Sequence, residues 1–226
     1  LEQTYENIEV IVVDNGSTDG SLLKIKKFLS EKNVKVLQFK NNNPPGKYNS
    51  FHMIDAVRES KGEYISMLYA DDWYLPSKIE KQMDIFKKSP SSVGVVYCHG
   101  YCYYEKNKEK FKWKHQAVRG YVFKDYMRLG DIVMPISPLV KRHCYNIIGV
   151  DNPWTGTEYD YLVMSQYVDF DFVDDYLAVM RQHENNDAKN VASVYLRVKK
   201  FHNIVLLSDG AIQRAGRFLI NKRIAR

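Results

Sequence analysis

Two adjacent carboxylates, Asp71 and Asp72, stand between the β-forming run 63–68 and Pro76. The run reads as a short buried strand, and Pro76 as the opening of a helix that reaches about Lys88. Such a pair has two readings. One is a solvated turn whose Asp caps the helix. The other is a hard-cation site, because Mg²⁺ or Mn²⁺ takes one or two protein carboxylates and completes its shell with substrate phosphates and water. In an open α/β sheet, ligands collect outside the carboxyl ends of the strands, which is where this pair would stand. A third carboxylate, Glu158, falls in the first turn of a helix that Thr155 or Thr157 can cap and that runs to about Gln166. An anion there is stabilised by the helix dipole. Segment 177–183 ends in a cation and an imidazole, Arg181 and His183.

The elements that must position these groups follow from periodicity. Residues 8–14 form a nearly continuous apolar run, as in a central strand buried on both faces. Gly16 permits a tight turn, Ser17 or Thr18 can cap the next helix, and that helix reaches about Lys32. A second strand, 34–39, a loop at 41–46 and a helix over about 49–60 lead into the carboxylate strand. The order β-α-β-α-β-α implies an α/β fold, a mostly parallel sheet with helices on both faces. Residues 93–98 predict a further strand. Residues 99–125 alternate aromatic and charged side chains and predict a small antiparallel portion about a turn at 105–109. That alternation is the pattern of sheet packing; stacking of nucleic-acid bases is the other use of such a surface. A short helix near 142–148 and a strand at 168–173 complete the series.

The chain has 226 residues and 45% apolar content, enough for one large domain with a core. Three cysteines without CxxC spacing argue against zinc and for free thiols in a reducing, cytoplasmic compartment. No run of 18 apolar residues suggests a membrane span. The net charge of +6 is uneven: residues 189–226 carry nine Lys/Arg against Asp209, a net +8, which leaves −2 for the rest. The expected division is therefore a domain over 1–188 and a basic helical tail over 189–226. The tail is either a solvated helix face or a contact for anionic lipid at the inner face of a plasma membrane. Nucleic-acid binding has only the tail in its favour, and no nucleic-acid partner is expected.

Four motifs together resemble the inverting family 2 glycosyltransferases of the GT-A fold, and the resemblance runs from Gln3 to about His183. They are the stretch 3–21 around Val13-Asp14-Asn15-Gly16-Ser17, the strand end Ala70-Asp71-Asp72, Glu158 in the position of a Glu-Asp-x-Asp helix motif, and Arg181-Gln182-His183. The resemblance implies a nucleotide-sugar donor, most simply a UDP-sugar, and a glycan or lipid-linked acceptor. It implies a hexosyltransferase role in polysaccharide biosynthesis of the cell envelope. By position, Asp14, Asn15 and Ala70 would lie beside the nucleotide, and Asp71 and Asp72 would hold Mg²⁺ or Mn²⁺. Glu158 would be the general base, with Arg181, His183 and Trp73 on the diphosphate and acceptor side.

Four positions depart from the family pattern. Tyr69 stands where a first Asp is common, Asn15 where many members have Asp, Glu158 where Asp is usual, and Thr157 replaces the preceding acid. The family's first strand and nucleotide-binding loop would precede Leu1, so the resemblance implies a piece of a longer polypeptide. The competing function class is a non-catalytic glycan-binding or scaffold module on the same fold.

Overall fold

The computed structural model describes residues 2–31, 33–40, 50–113, 116–129, 132–148, 157–184 and 186. The expected loop at 41–46, the Thr155 cap, the tail over 189–226 and the side chain of Glu158 lie outside what is described.

The chain begins with β1 (Val10–Asn15), α1 (Ser21–Lys26), β2 (Val34–Phe39) and α2 (Ser50–Glu59). Strands β1 and β2 pair in parallel as a two-stranded sheet, with Val10 opposite Val34 and Asn15 opposite Phe39. Gly16 ends β1 at φ +73°, a left-handed backbone that glycine adopts without a Cβ clash. Helix α1 stops well short of Lys32. None of its side chains is buried, so packing does not extend it beyond two turns.

The larger sheet contains β3 (Tyr64–Ile65), β4 (Trp73–Tyr74), β5 (Val93–Tyr104), β6 (Glu109–Lys112), β7 (Leu139–Lys141) and β8 (Asp169–Gln182). Its order is β3, β7, β5, β8, β4, with β6 paired to β5 off that path. The α/β architecture is as expected, but the antiparallel portion is larger than the sequence implies. Among the described residues, β5 and β8 are the one parallel pair of this sheet, while β3/β7, β5/β7, β4/β8 and β5/β6 are antiparallel. The turn expected at 105–109 joins β5 to β6.

Strand β5 is the centre of both cores. Val95 and Tyr97 face one side, packed with Val122 just before α4 (Phe123–Leu129), and with Phe123 and Tyr126 of α4, Leu162 of α6 (Thr157–Met164) and Phe170 of β8. Val96 and Cys98 face the other, packed with Ile79 and Phe86 of α3 (Lys78–Lys88) and with Met134, Ile136 and Leu177. Burial on both faces explains the continuous apolar run at 93–98. Gly100 is needed for close approach, since a Cβ there would meet the Ala178 carbonyl oxygen at 2.9 Å. The expected short helix appears as a 3₁₀ turn, Arg142–Cys144, followed by α5 (Tyr145–Ile148).

Two strand boundaries differ from the sequence reading. The strand expected at 168–173 is longer, β8, and runs on to Gln182 through the segment that leads to Arg181 and His183. Its acidic pair is held from neighbouring elements, Asp174 by His99 at 2.9 Å and Asp175 by Lys81 at 2.5 Å. Register shifts beside His99 absorb the extra residues. Strand β3 is only two residues long because side chains take over beyond Ile65. Ser66 Oγ donates to the Pro138 carbonyl at 2.9 Å, and the Tyr74 hydroxyl donates to the Met67 carbonyl at 2.6 Å. Among the described residues, no helix is long and apolar enough to cross a membrane.

Candidate active site

Asp71 and Asp72 lie on a turn between β3 and β4, closed by the Asp72 N–H donating to the Tyr69 carbonyl at 3.2 Å. They do not directly end the short strand expected over 63–68, because β3 stops at Ile65. What places them is β4, which pairs with β8 through Trp73 opposite Val179 and Tyr74 opposite Ala178. The end of β8 therefore comes to the carboxylates. The Arg181 N–H donates to Asp72 Oδ1 at 2.8 Å, and His183 Nε2 lies 2.8 Å from Asp71 Oδ2. The structure thus brings Ala70, Asp71, Asp72 and Trp73 together with Arg181 and His183, residues more than a hundred positions apart in the chain.

Burial raises the Asp72 carboxyl to about 6; the neighbouring Asp71 carboxylate adds to the rise, and the Arg181 N–H opposes it. A half-buried carboxylate beside a second one is an oxygen-rich site in which negative charge is unfavourable. A divalent cation would relieve that. Among the described residues, no three His, Cys, Asp or Glu side chains gather as a metal cage. A cation here would take at most one or two protein carboxylates and complete its shell elsewhere, as Mg²⁺ does on phosphates. The donor set fits Mg²⁺ or Mn²⁺ in that sense.

Asp14 and Asn15 end β1, on the other sheet. Asp14 is 2% exposed; its Oδ1 accepts the Ser17 N–H at 3.3 Å, and no donor reaches its Oδ2 among the described residues. A buried carboxylate oxygen without a donor is costly unless something else supplies an N–H or O–H. Glu158 is the second residue of α6. Thr157, just before it, is buried, and its Oγ1 lies 3.2 Å from the Tyr69 hydroxyl.

The sequence reading passed over several supporting residues. Asn186 ties down the end of β8: its Oδ1 accepts the His183 N–H, and its Nδ2 donates to the Arg181 carbonyl at 3.0 Å. Asn is a common partner of nearby backbone groups, so Asn186 three residues after His183 was a readable signal. Lys78, Ser66 and Tyr74 brace the base of the carboxylate turn from within the core. Their long-range contacts leave no pattern in the sequence.

Residues 1–140 match the family described as Glycosyl transferase family 2. Among curated relatives, an Escherichia coli UDP-Glc:alpha-D-GlcNAc-diphosphoundecaprenol beta-1,3-glucosyltransferase, WfaP, is 36% identical over 83 residues, 37% of this chain and 31% of its own length. The chain spans less than two thirds of the length of the curated relatives it matches. Staphylococcus aureus TarS in complex with UDP-GlcNAc superimposes with a TM-score of 0.69 at 14% identity, over 99% of this chain and 66% of that one. The mannosyltransferase PcManGT from Pyrobaculum calidifontis, in complex with GDP-Man and Mn²⁺, gives 0.62 at 18% identity over 96% and 63%. These two likenesses establish the shared GT-A fold. With the family match covering residues 1–140, well over half of the sequence, the chain belongs to glycosyl transferase family 2.

Proposed function

We propose that the protein carrying this chain is a metal-dependent inverting glycosyltransferase that moves a sugar from a UDP-sugar to a glycan or lipid-linked acceptor. The observation that carries this reading is the half-buried carboxylate pair Asp71–Asp72, held by the end of β8, with the Asp72 anion disfavoured by burial. Such a pair favours a cation that arrives with a diphosphate. The UDP-sugars named for WfaP and TarS support the choice of base, and the Mn²⁺ of PcManGT supports the metal.

Asp71 and Asp72 would hold Mg²⁺ or Mn²⁺. When bound, the ion supplies electrostatic stabilisation of the negative charge that develops on the departing diphosphate. Asp14, through its buried Oδ2, and Asn15 would receive N–H or O–H groups of the nucleoside, beside Ala70. Glu158 would take the proton from the acceptor hydroxyl. The acceptor oxygen then bonds to the anomeric carbon as the bond from that carbon to the diphosphate breaks, its electron pair leaving with the diphosphate. One displacement from the opposite face inverts the anomeric centre and needs only one base. His183 and Arg181 would line the diphosphate side, and Trp73, 37% exposed, would face the acceptor. The basic segment 189–226 would bring the enzyme to anionic lipid at the inner face of the membrane, where lipid-linked acceptors are made.

Calorimetric titration of UDP and GDP into the full-length protein, with and without Mn²⁺, tests the reading. Metal-dependent binding of UDP in preference to GDP is expected. Glycan binding without nucleotide binding would replace the enzyme with a non-catalytic module.

A further inference from the structure

The most unusual buried group outside the carboxylate turn is Lys78, at the start of α3. It is 0% exposed. Its ammonium donates to Ser66 Oγ at 3.0 Å and to Gln82 Oε1 at 2.9 Å, and it lies 3.9 Å from the centre of the Tyr74 ring. Those three contacts match the three N–H donors of an ammonium, and no carboxylate pairs with it among the described residues. A buried cation held only by neutral partners is costly to retain. Burial lowers its pKa to about 8, which leaves it mostly charged near neutrality.

The partners define what this cation closes. Ser66 and Tyr74 are the two ends of the segment that carries Asp71 and Asp72. Their hydroxyls lie 3.0 Å apart, and the Tyr74 hydroxyl also reaches back to the Met67 carbonyl. Ser66 Oγ in turn donates to the Pro138 carbonyl. Gln82, on the other side of the ammonium, donates to the Val96 carbonyl at 2.7 Å and the Ser137 carbonyl at 2.8 Å, both in the buried core. The chain of contacts thus runs from the rigid centre of β5 through Gln82 and Lys78 to the neck of the carboxylate loop.

We propose that Lys78 is a positioning residue: its ammonium clamps residues 66 and 74 together and so fixes the geometry in which Asp71 and Asp72 receive a divalent cation and its diphosphate. The cation part rests on the function proposed above; the clamp itself does not. An apolar residue of similar length could fill the space but could not donate to Ser66 or Gln82. The neck would then open, with the core above β5 left in place.

The test uses the full-length protein with Lys78→Met, Ser66→Ala and Tyr74→Phe, and with Phe123→Leu as a control that weakens the core elsewhere. Two quantities are read: Mn²⁺-dependent UDP affinity by calorimetry, and amide hydrogen exchange of residues 67–73 in the metal-free protein. Lys78→Met is expected to weaken UDP binding by about ten- to a hundredfold, the range for residues that support metal ligands. It should also speed exchange across the loop while β5 and β8 stay protected, with Ser66→Ala and Tyr74→Phe in between. Phe123→Leu should lower the melting temperature and move neither readout. A folded Lys78→Met protein with wild-type affinity and loop exchange overturns the proposal. If Lys78→Met does not fold, the other two variants decide, and wild-type behaviour in both overturns it. If the wild type binds no UDP, the proposed function fails, and loop exchange still decides the role of Lys78.

Discussion

The Tyr69 hydroxyl lies 3.2 Å from Thr157 Oγ1, so the turn carrying Asp71 and Asp72 is tied to the first residue of α6, directly before Glu158. Both residues are departures from the family pattern, and the structure makes them partners. A tyrosine cannot replace a carboxylate as a cation ligand here, but it can set the distance between the carboxylate turn and the helix of the proposed base. Tyr69→Phe removes only the hydroxyl. Turnover is expected to fall by roughly tenfold with UDP affinity unchanged, because misplacement of a reacting group lowers rate more than binding. Steady-state kinetics alongside calorimetry checks this; an equal loss in both would assign Tyr69 to donor binding instead.

Asp72→Asn separates stability from function. Burial raises the Asp72 pKa from 3.8 to about 6, so the folded chain binds its proton more tightly than the unfolded chain. Stability therefore falls as pH rises through that interval, and at pH 7 the anion is a net burden. The amide is expected to raise the melting temperature of the metal-free protein at pH 7 while losing metal-dependent UDP binding. Thermal melts at pH 4 and pH 7 check the sign, and the gain should shrink at the lower pH.

Glu158→Gln keeps the shape of the side chain and removes the base. Turnover is expected to drop by about a hundred- to ten-thousandfold, with UDP and Mn²⁺ affinity within about twofold of wild type. Single-turnover assays with a radiolabelled sugar donor measure this. Near-normal turnover would move the base elsewhere.

Lys78 should also be visible in the alkaline stability of the protein. Its folded pKa, about 8, lies below its ordinary 10.5, so between those values the unfolded chain holds more protons and stability rises with pH. Cys98 and Cys144 act oppositely. Burial raises both from 9.0 to about 11, so each lowers stability as pH climbs through that range. The cysteine contributions largely cancel in the difference between wild type and Lys78→Met. That difference is expected to move toward wild type by about 1 kcal/mol per pH unit between pH 8 and 10. Urea denaturation across the range checks it, and a pH-independent difference would mean that Lys78 is not titrating in the fold.

The sequence by itself determined much of the local structure. The apolar run before Asp14, the glycine turn after it, the two-faced strand at 93–98 and the helix ending at Lys88 follow from periodicity and turn chemistry, which act over a few residues. The order of the four motifs was enough to place the chain among family 2 glycosyltransferases. Tertiary structure decided the rest. Strand β4 is two residues long and carries no pattern, yet its pairing with β8 brings Asp71 and Asp72 to Arg181 and His183. Strand β8 runs on past Asp174 and Asp175 because it lies in register beside β5 up to Tyr104, a partner that the two acids do not reveal in sequence. Nothing in the sequence marks Lys78 within the helix after Pro76, because a cation looks solvated in sequence until Ser66, Gln82 and Tyr74 are seen around it. Backbone preference is local and legible; the pairing of distant polar groups is set by burial, which only the folded chain defines.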